Sequence, residues 1–149
     1  MPKSAGFLTE NNVVDAVANY LDRRGWKVSQ KLKTTERGTD IIAERKQTKL
    51  FVEAKGGGSS NKKSARFKTG FSSGQKKHNI AHALLKSITQ EKDTKDLIAM
   101  AFPNDNYYQK VLKSENLNKA LKKLNVIVFL VSEKNDVEVI APEYLELSA

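Results

Sequence analysis

Between Gly38 and Lys55 the chain reads Gly-Thr-Asp-Ile-Ile-Ala-Glu-Arg-Lys-Gln-Thr-Lys-Leu-Phe-Val-Glu-Ala-Lys, and no other stretch limits the fold so tightly. Two short apolar runs (Ile41, Ile42, Ala43 and Leu50, Phe51, Val52) flank a polar turn, which reads as two strands. Asp40 opens the first strand, and Glu53 and Lys55 close the second. Side chains alternate faces along a strand, so Glu53 and Lys55 point one way and Ala54 the other. Strands apolar enough to be buried therefore gather two acids and a lysine at one end. A fold does not need that, because buried charge is costly unless it is paired or holds a metal. Two hard oxygen ligands beside a lysine are what metal-assisted phosphodiester cleavage requires.

Around this stretch the chain alternates helical and strand patterns. Thr9 caps a helix from Glu10, whose Val13, Val14, Val17, Tyr20 and Leu21 form one apolar face and which stops at Gly25. Trp26 to Leu32 alternates as a first strand, and Thr34 to Gly38 is a loop. From Gly56 to Gly74 the chain is mostly Gly, Ser, Lys and Arg with Phe67 and Phe71, and it has no period, as a functional or mobile loop would. Those two rings either anchor the loop to the core or stack on unpaired bases. Ser73 can cap a second helix to Gln90, with Ile80, Ala81, Ala83, Leu84, Leu85 and Ile88 facing inward. A strand (Lys95 to Phe102) and a helical region from Asn104 to about Leu124, interrupted near Ser114, follow. A buried strand (Val126 to Ser132), a last strand (Val137 to Ile140) and an acidic tail complete the order α-β-β-β-α-β-α-β-β.

Length and charge narrow the class. A chain of 149 residues suits one domain, 1–149, with a core over about 8–103 and a C-terminal part over 104–149. The longest apolar run, Val126 to Val131, is too short to cross a membrane, and nothing near the N-terminus resembles a signal peptide. There is no cysteine for a disulfide or a thiolate-bound zinc, and a cytoplasmic location follows by default. The net charge of +9 is uneven: residues 1–92 carry 19 Lys and Arg against 8 Asp and Glu, while residues 93–149 carry 7 against 9. No acid occurs between Glu53 and Glu91. A basic field around the motif implies a polyanionic partner, nucleic acid first. Lys62, Lys63, Arg66, Lys68, Lys76 and Lys77 are the candidates to guide a DNA backbone, with His78 as a further phosphate or site contact. His82 reads as a packed or surface histidine.

Asp40 followed by Glu53-Ala54-Lys55 resembles the signature of the PD-(D/E)XK nuclease superfamily, with Thr39 where the name-giving proline would stand. The element order agrees over about residues 8–103. The resemblance implies an α/β, restriction-endonuclease-like αβββαβ core, a mixed central sheet flanked by helices. It implies a magnesium-dependent DNA endonuclease, with manganese able to substitute. The ligands would be Asp40, Glu53 and the Ala54 backbone carbonyl, joined by Glu10 from the first helix. Lys55 would hold the attacking water or stabilise the transition-state charge. The run from Val52 to Leu85 is similar to small prokaryotic members of the fold, and related branches place a glutamine, here Gln75, beside the site. Small nucleases of this kind often act as homodimers. A Holliday-junction or other structure-specific resolvase uses the same core and charges, and a non-catalytic DNA-binding protein on the same fold is the alternative outside the enzymes.

Overall fold

The structure, a computed structural model, describes residues 7–33, 37–58 and 70–142. Helix α1 (Glu10–Arg23) starts on a reciprocal cap: the Asn12 N–H donates to the Thr9 hydroxyl, and the Thr9 N–H donates to the Asn12 side chain. Its stripe of Val13, Val14, Val17 and Leu21 is buried. It ends at Gly25, whose φ of +82° suits a residue without Cβ. Strand β1 (Lys27–Lys31) then leads to β2 (Ile41–Arg45) and β3 (Thr48–Ala54). Lys46 and Gln47 join β2 to β3 with φ of 50° and 68°, the paired positive values that match a two-residue turn to strand twist.

Helix α2 (Ser73–Ile88), β4 (Leu97–Pro103), α3 (Asn106–Leu112), α4 (Glu115–Lys123), β5 (Val126–Val131) and β6 (Val137–Ile140) follow. The third helical region is broken at Ser114, where the sequence pattern falters. It starts later than the sequence suggests, because Asp105 caps it by accepting the Tyr108 N–H.

All six strands form one sheet in chain order. β1, β2 and β3 are antiparallel, β3, β4 and β5 are parallel, and β6 returns antiparallel. This is the mixed α/β architecture expected of the chain. Both parallel crossovers step the same way across the sheet, so α2, α3 and α4 share one face, as a constant right hand requires. There Ile80, Ala83, Tyr108, Leu112 and Leu121 pack on Met100, Phe102, Val128 and Leu130. On the other face α1 packs Val13, Val17 and Leu21 on Ile41, Val52, Ala54, Ala101 and Phe129.

Two further sequence expectations are corrected. Ser72, not Ser73, caps α2. Its buried residues are Ile80, Ala83 and Ser87, whereas Leu85 (59% exposed) and Ile88 (46%) lie outside and Ala81 is exposed. Among the described residues no helix is long and apolar enough to cross a membrane.

Candidate active site

Ile41 pairs with Val52, so the next step of the register sets Asp40 opposite Glu53. Ile41 and Val52 face α1, and alternation turns Asp40, Glu53 and Lys55 toward α2. Asp40 and Glu53 are buried, and each carboxyl group lies within electrostatic reach of the other. Asp40 Oδ2 also accepts the Ala54 N–H at 2.8 Å. The N–H and C=O of one strand residue leave by the same edge, so the Ala54 carbonyl points along the edge that meets Asp40.

Helix α2 runs back along β3 and matches it rung by rung. Four residues of helix rise about 6 Å and two of strand about 6.6 Å, so partners recur in step. Lys55 Nζ lies 2.8 Å from His82 Nδ1, and Lys86 Nζ lies 3.0 Å from Glu53 Oε2. An ammonium only donates, so His82 Nδ1 accepts and its ring proton sits on Nε2. The third member of the spacing, His78, is exposed and stacks on His82 with centroids 6.4 Å apart.

The start of α1 closes the site from the opposite face. Gly56 follows Lys55 and crosses α1 so closely that a Cβ would collide with the Glu10 backbone nitrogen and come within 2.8 Å of the Thr9 carbonyl carbon. The Gly57 N–H donates to the Leu8 carbonyl at 2.8 Å. From the other side the Tyr108 hydroxyl donates to the Gly56 carbonyl at 3.0 Å and accepts from Asn79 Nδ2 at 3.2 Å. These contacts fix Glu10 within electrostatic reach of Asp40, Glu53 and Lys55.

The electrostatics are those of crowded, desolvated acids. Burial, then Asp40, pushes Glu10 up to about 7, with Lys55 opposing. Burial, then Asp40, pushes Glu53 up to about 6, against the pull of Lys86. Burial also raises Asp40, opposed by the Ala54 N–H and the two lysines. His82 is held below its ordinary value, chiefly by the Lys55 ammonium beside it. The carboxyl groups are therefore kept together against both desolvation and mutual repulsion.

Does this donor set suit a divalent cation? Among the described residues no group of three or more His, Cys, Asp or Glu stands as a ready ligand cluster. Magnesium, however, is commonly held by one or two carboxylates and keeps several waters. Asp40 and Glu53 would supply those carboxylates, and the Ala54 carbonyl would supply a third oxygen on the same edge. On that chemistry the residues fit, with Glu10 within electrostatic reach of them.

The remaining sequence candidates divide. Gln75 is engaged at the start of α2: the Ser72 N–H donates to its Oε1 at 3.1 Å and its own N–H donates to Ser72 Oγ. Eleven residues of helix, about 16 Å of rise, separate it from Lys86 beside Glu53. Lys76 is also occupied, paired with Asp105 Oδ2 at 2.7 Å and lying over the Tyr108 ring. Lys77 and His78 are exposed. Lys62, Lys63, Arg66 and Lys68, with Phe67, lie outside the described residues.

Sequence reasoning missed Lys86 and the contact of His82 with Lys55. The recurrence of basic side chains at 78, 82 and 86 was the available signal.

No protein-family model matches the chain, and no curated protein matches it. Among solved structures it is similar to an fdxN element excision controlling factor protein from Anabaena variabilis, at 20% identity and a TM-score of 0.43, covering 85% of this chain and 95% of that one. It is also similar to an XisH family protein from Nostoc punctiforme, at 19% identity and a TM-score of 0.44, covering 88% of this chain and 98% of that one.

Proposed function

We propose that this chain is a magnesium-dependent DNA endonuclease that hydrolyses phosphodiester bonds. One observation carries the reading. Two buried carboxyl groups, Asp40 and Glu53, meet at a strand end, and Lys55 follows on the same face. Desolvated acids this close cost stability, and a cation between them is what repays it.

Asp40, Glu53 and the Ala54 carbonyl would hold the cation, and manganese would fit the same oxygen set. When bound, the ion would supply Lewis-acid polarisation of a phosphoryl oxygen and would acidify a water. Lys55 presents its ammonium to the attacking oxygen or to the charge that develops on phosphorus. His82 keeps the Lys55 side chain on the cleft side of the sheet. Glu10, pushed up to about 7, sits where it can hold or release a proton near neutral pH. Lys77 and His78 continue the basic face of α2 away from the site and suit a DNA backbone. Cutting both strands requires two sites, so a homodimer belongs to this reading.

A second reading, DNA binding without turnover, is favoured by one observation: no third His, Cys, Asp or Glu completes a ligand cluster among the described residues. The test is cleavage of labelled four-way junction, linear duplex and single-stranded DNA, in magnesium, in manganese and in EDTA, by the native chain and by Lys55→Ala. Metal-dependent cutting that Lys55→Ala abolishes while binding persists supports the endonuclease. A preference for junctions would make it a resolvase. Tight binding with no cutting in either metal would establish the second reading instead.

A further inference from the structure

Lys86 has no counterpart in the acid, acid-x-Lys pattern, yet among the described residues its ammonium is the one in contact with a site carboxylate. Its Nζ lies 3.0 Å from Glu53 Oε2, while the Lys55 ammonium is given to His82. The two partners differ in access. The Glu53 side chain is 7% exposed and that of Lys86 is 42% exposed, so a solvent-reaching lysine bends in over a covered acid. Asp40 stands opposite Glu53 in the strand register, so the Lys86 ammonium lies on one acid of a carboxylate pair.

We infer that the Lys86 ammonium occupies the cation's place on Glu53, and that a divalent ion binds by displacing it. The inference rests on the proposed cation site at Asp40 and Glu53. Magnesium and manganese need a carboxylate oxygen at about 2.1 Å, and an ammonium hydrogen-bonded to the same oxygen competes for it. Two positive charges beside one ammonium also repel it. Lys86 can leave without unfolding anything, because its side chain is 42% exposed and its flexible stem reaches solvent. The exchange keeps Glu53 neutralised in the metal-free protein. It frees an ammonium at the cleft mouth when metal enters, where a DNA phosphate is the natural acceptor.

The test is titration with Mn2+, followed by electron paramagnetic resonance of the free ion, on the native chain, Lys86→Met, Lys86→Gln and Lys77→Met. Lys77 is exposed nine residues, about two and a half turns, away on the same helix, so Lys77→Met makes an equal change of charge without touching Glu53. Both Lys86 variants are expected to bind Mn2+ about five- to tenfold more tightly, and Lys77→Met to change affinity by less than about twofold. In the native chain, saturating Mn2+ should speed acylation of Lys86 by an amine reagent several-fold, read by mass spectrometry, with Lys77 unchanged. Lys86 variants with native or weaker Mn2+ affinity, equal gains at both lysines, or no change in Lys86 labelling would each overturn the exchange while leaving the cation site standing. Absence of Mn2+ binding to every protein would overturn the site and the exchange together.

Discussion

Replacing a buried acid by its amide usually costs stability, but Glu53→Gln should stabilise the metal-free protein at neutral pH. Glu53 is 5% exposed and its carboxyl is pushed from 4.5 to about 6 by burial and by Asp40. A raised acid means that the folded state prefers the protonated form. Its contribution is fully present below about pH 4.5 and is lost as the pH climbs through about 6. The loss is about 2 kcal/mol, at about 1.4 kcal/mol for each tenfold change in proton affinity. Glutamine is neutral at every pH and imitates the protonated acid, so it escapes that loss. In EDTA at pH 7.5 the variant should gain about 1–2 kcal/mol, which for a chain of this size is about 2–8 °C in midpoint. At pH 4.5 the two proteins should melt together within about 1 °C. Thermal and urea unfolding of both proteins at the two pH values measures this. Magnesium at pH 7.5 should then raise the native midpoint well above that of the variant, which has lost a ligand. A Glu53→Gln protein that is destabilised equally at pH 4.5 and 7.5 would refute the reasoning, because the carboxylate would then be an ordinary packed group and not a crowded one.

Four further outcomes follow from the same geometry. Gly56→Ala should cost about 2–3 kcal/mol in urea unfolding because its Cβ meets the α1 backbone, whereas Gly57→Ala, whose Cβ finds neighbours no nearer than 3.5 Å, should cost under about 1 kcal/mol. Tyr108→Phe should lose about 1–2 kcal/mol, since the Gly56 carbonyl and the Asn79 amide each lose a partner. Lys76→Ala should lower stability through Asp105 and leave DNA affinity nearly native, while Lys77→Ala should do the reverse and reduce the salt dependence of binding by about one phosphate contact. Mn2+ affinity should rise from pH 5 to pH 8, because Glu53 and Glu10, raised to about 6 and about 7, must lose protons as the cation enters; a flat profile in a calorimetric titration would contradict the crowding of these acids.

Much of the frame could be read from sequence because local chemistry decided it. Thr9, Gly25 and the stripe between them fix α1 by capping, by left-handed backbone and by period. The two motif strands follow from apolar runs on either side of a polar turn, and the pairing of Asp40 with Glu53 then follows from register alone. Gly56 was visible only as part of a glycine run. Its reason is the backbone of α1, more than forty residues earlier in the chain, and contacts of that separation leave no local pattern. Gln75 is instructive in the other direction. A glutamine three residues after a serine at a helix start is a capping box, and the structure uses it as one.

The rotation of α2 about its axis is where pattern and structure part, and the reason is electrostatic as well as apolar. Counting apolar residues turns Ala81, Leu85 and Ile88 inward, because Ile80, Ala83 and Leu84 are close enough in angle to join them in one broad face. The structure keeps the inward side narrow, with Ile80, Ala83 and Ser87 buried and Leu85 and Ile88 left to solvent. Turning the helix to cover Leu85 would carry His82 and Lys86 away from β3, leaving Lys55 without its acceptor and Glu53 without its ammonium. Exposing two apolar side chains by half costs about 1–2 kcal/mol. Leaving a buried carboxylate unpaired costs about 3–5 kcal/mol. The second cost is larger, so the charges at the end of β3 set the phase of the helix that covers them. A helix over an uncharged strand end would have followed its apolar count.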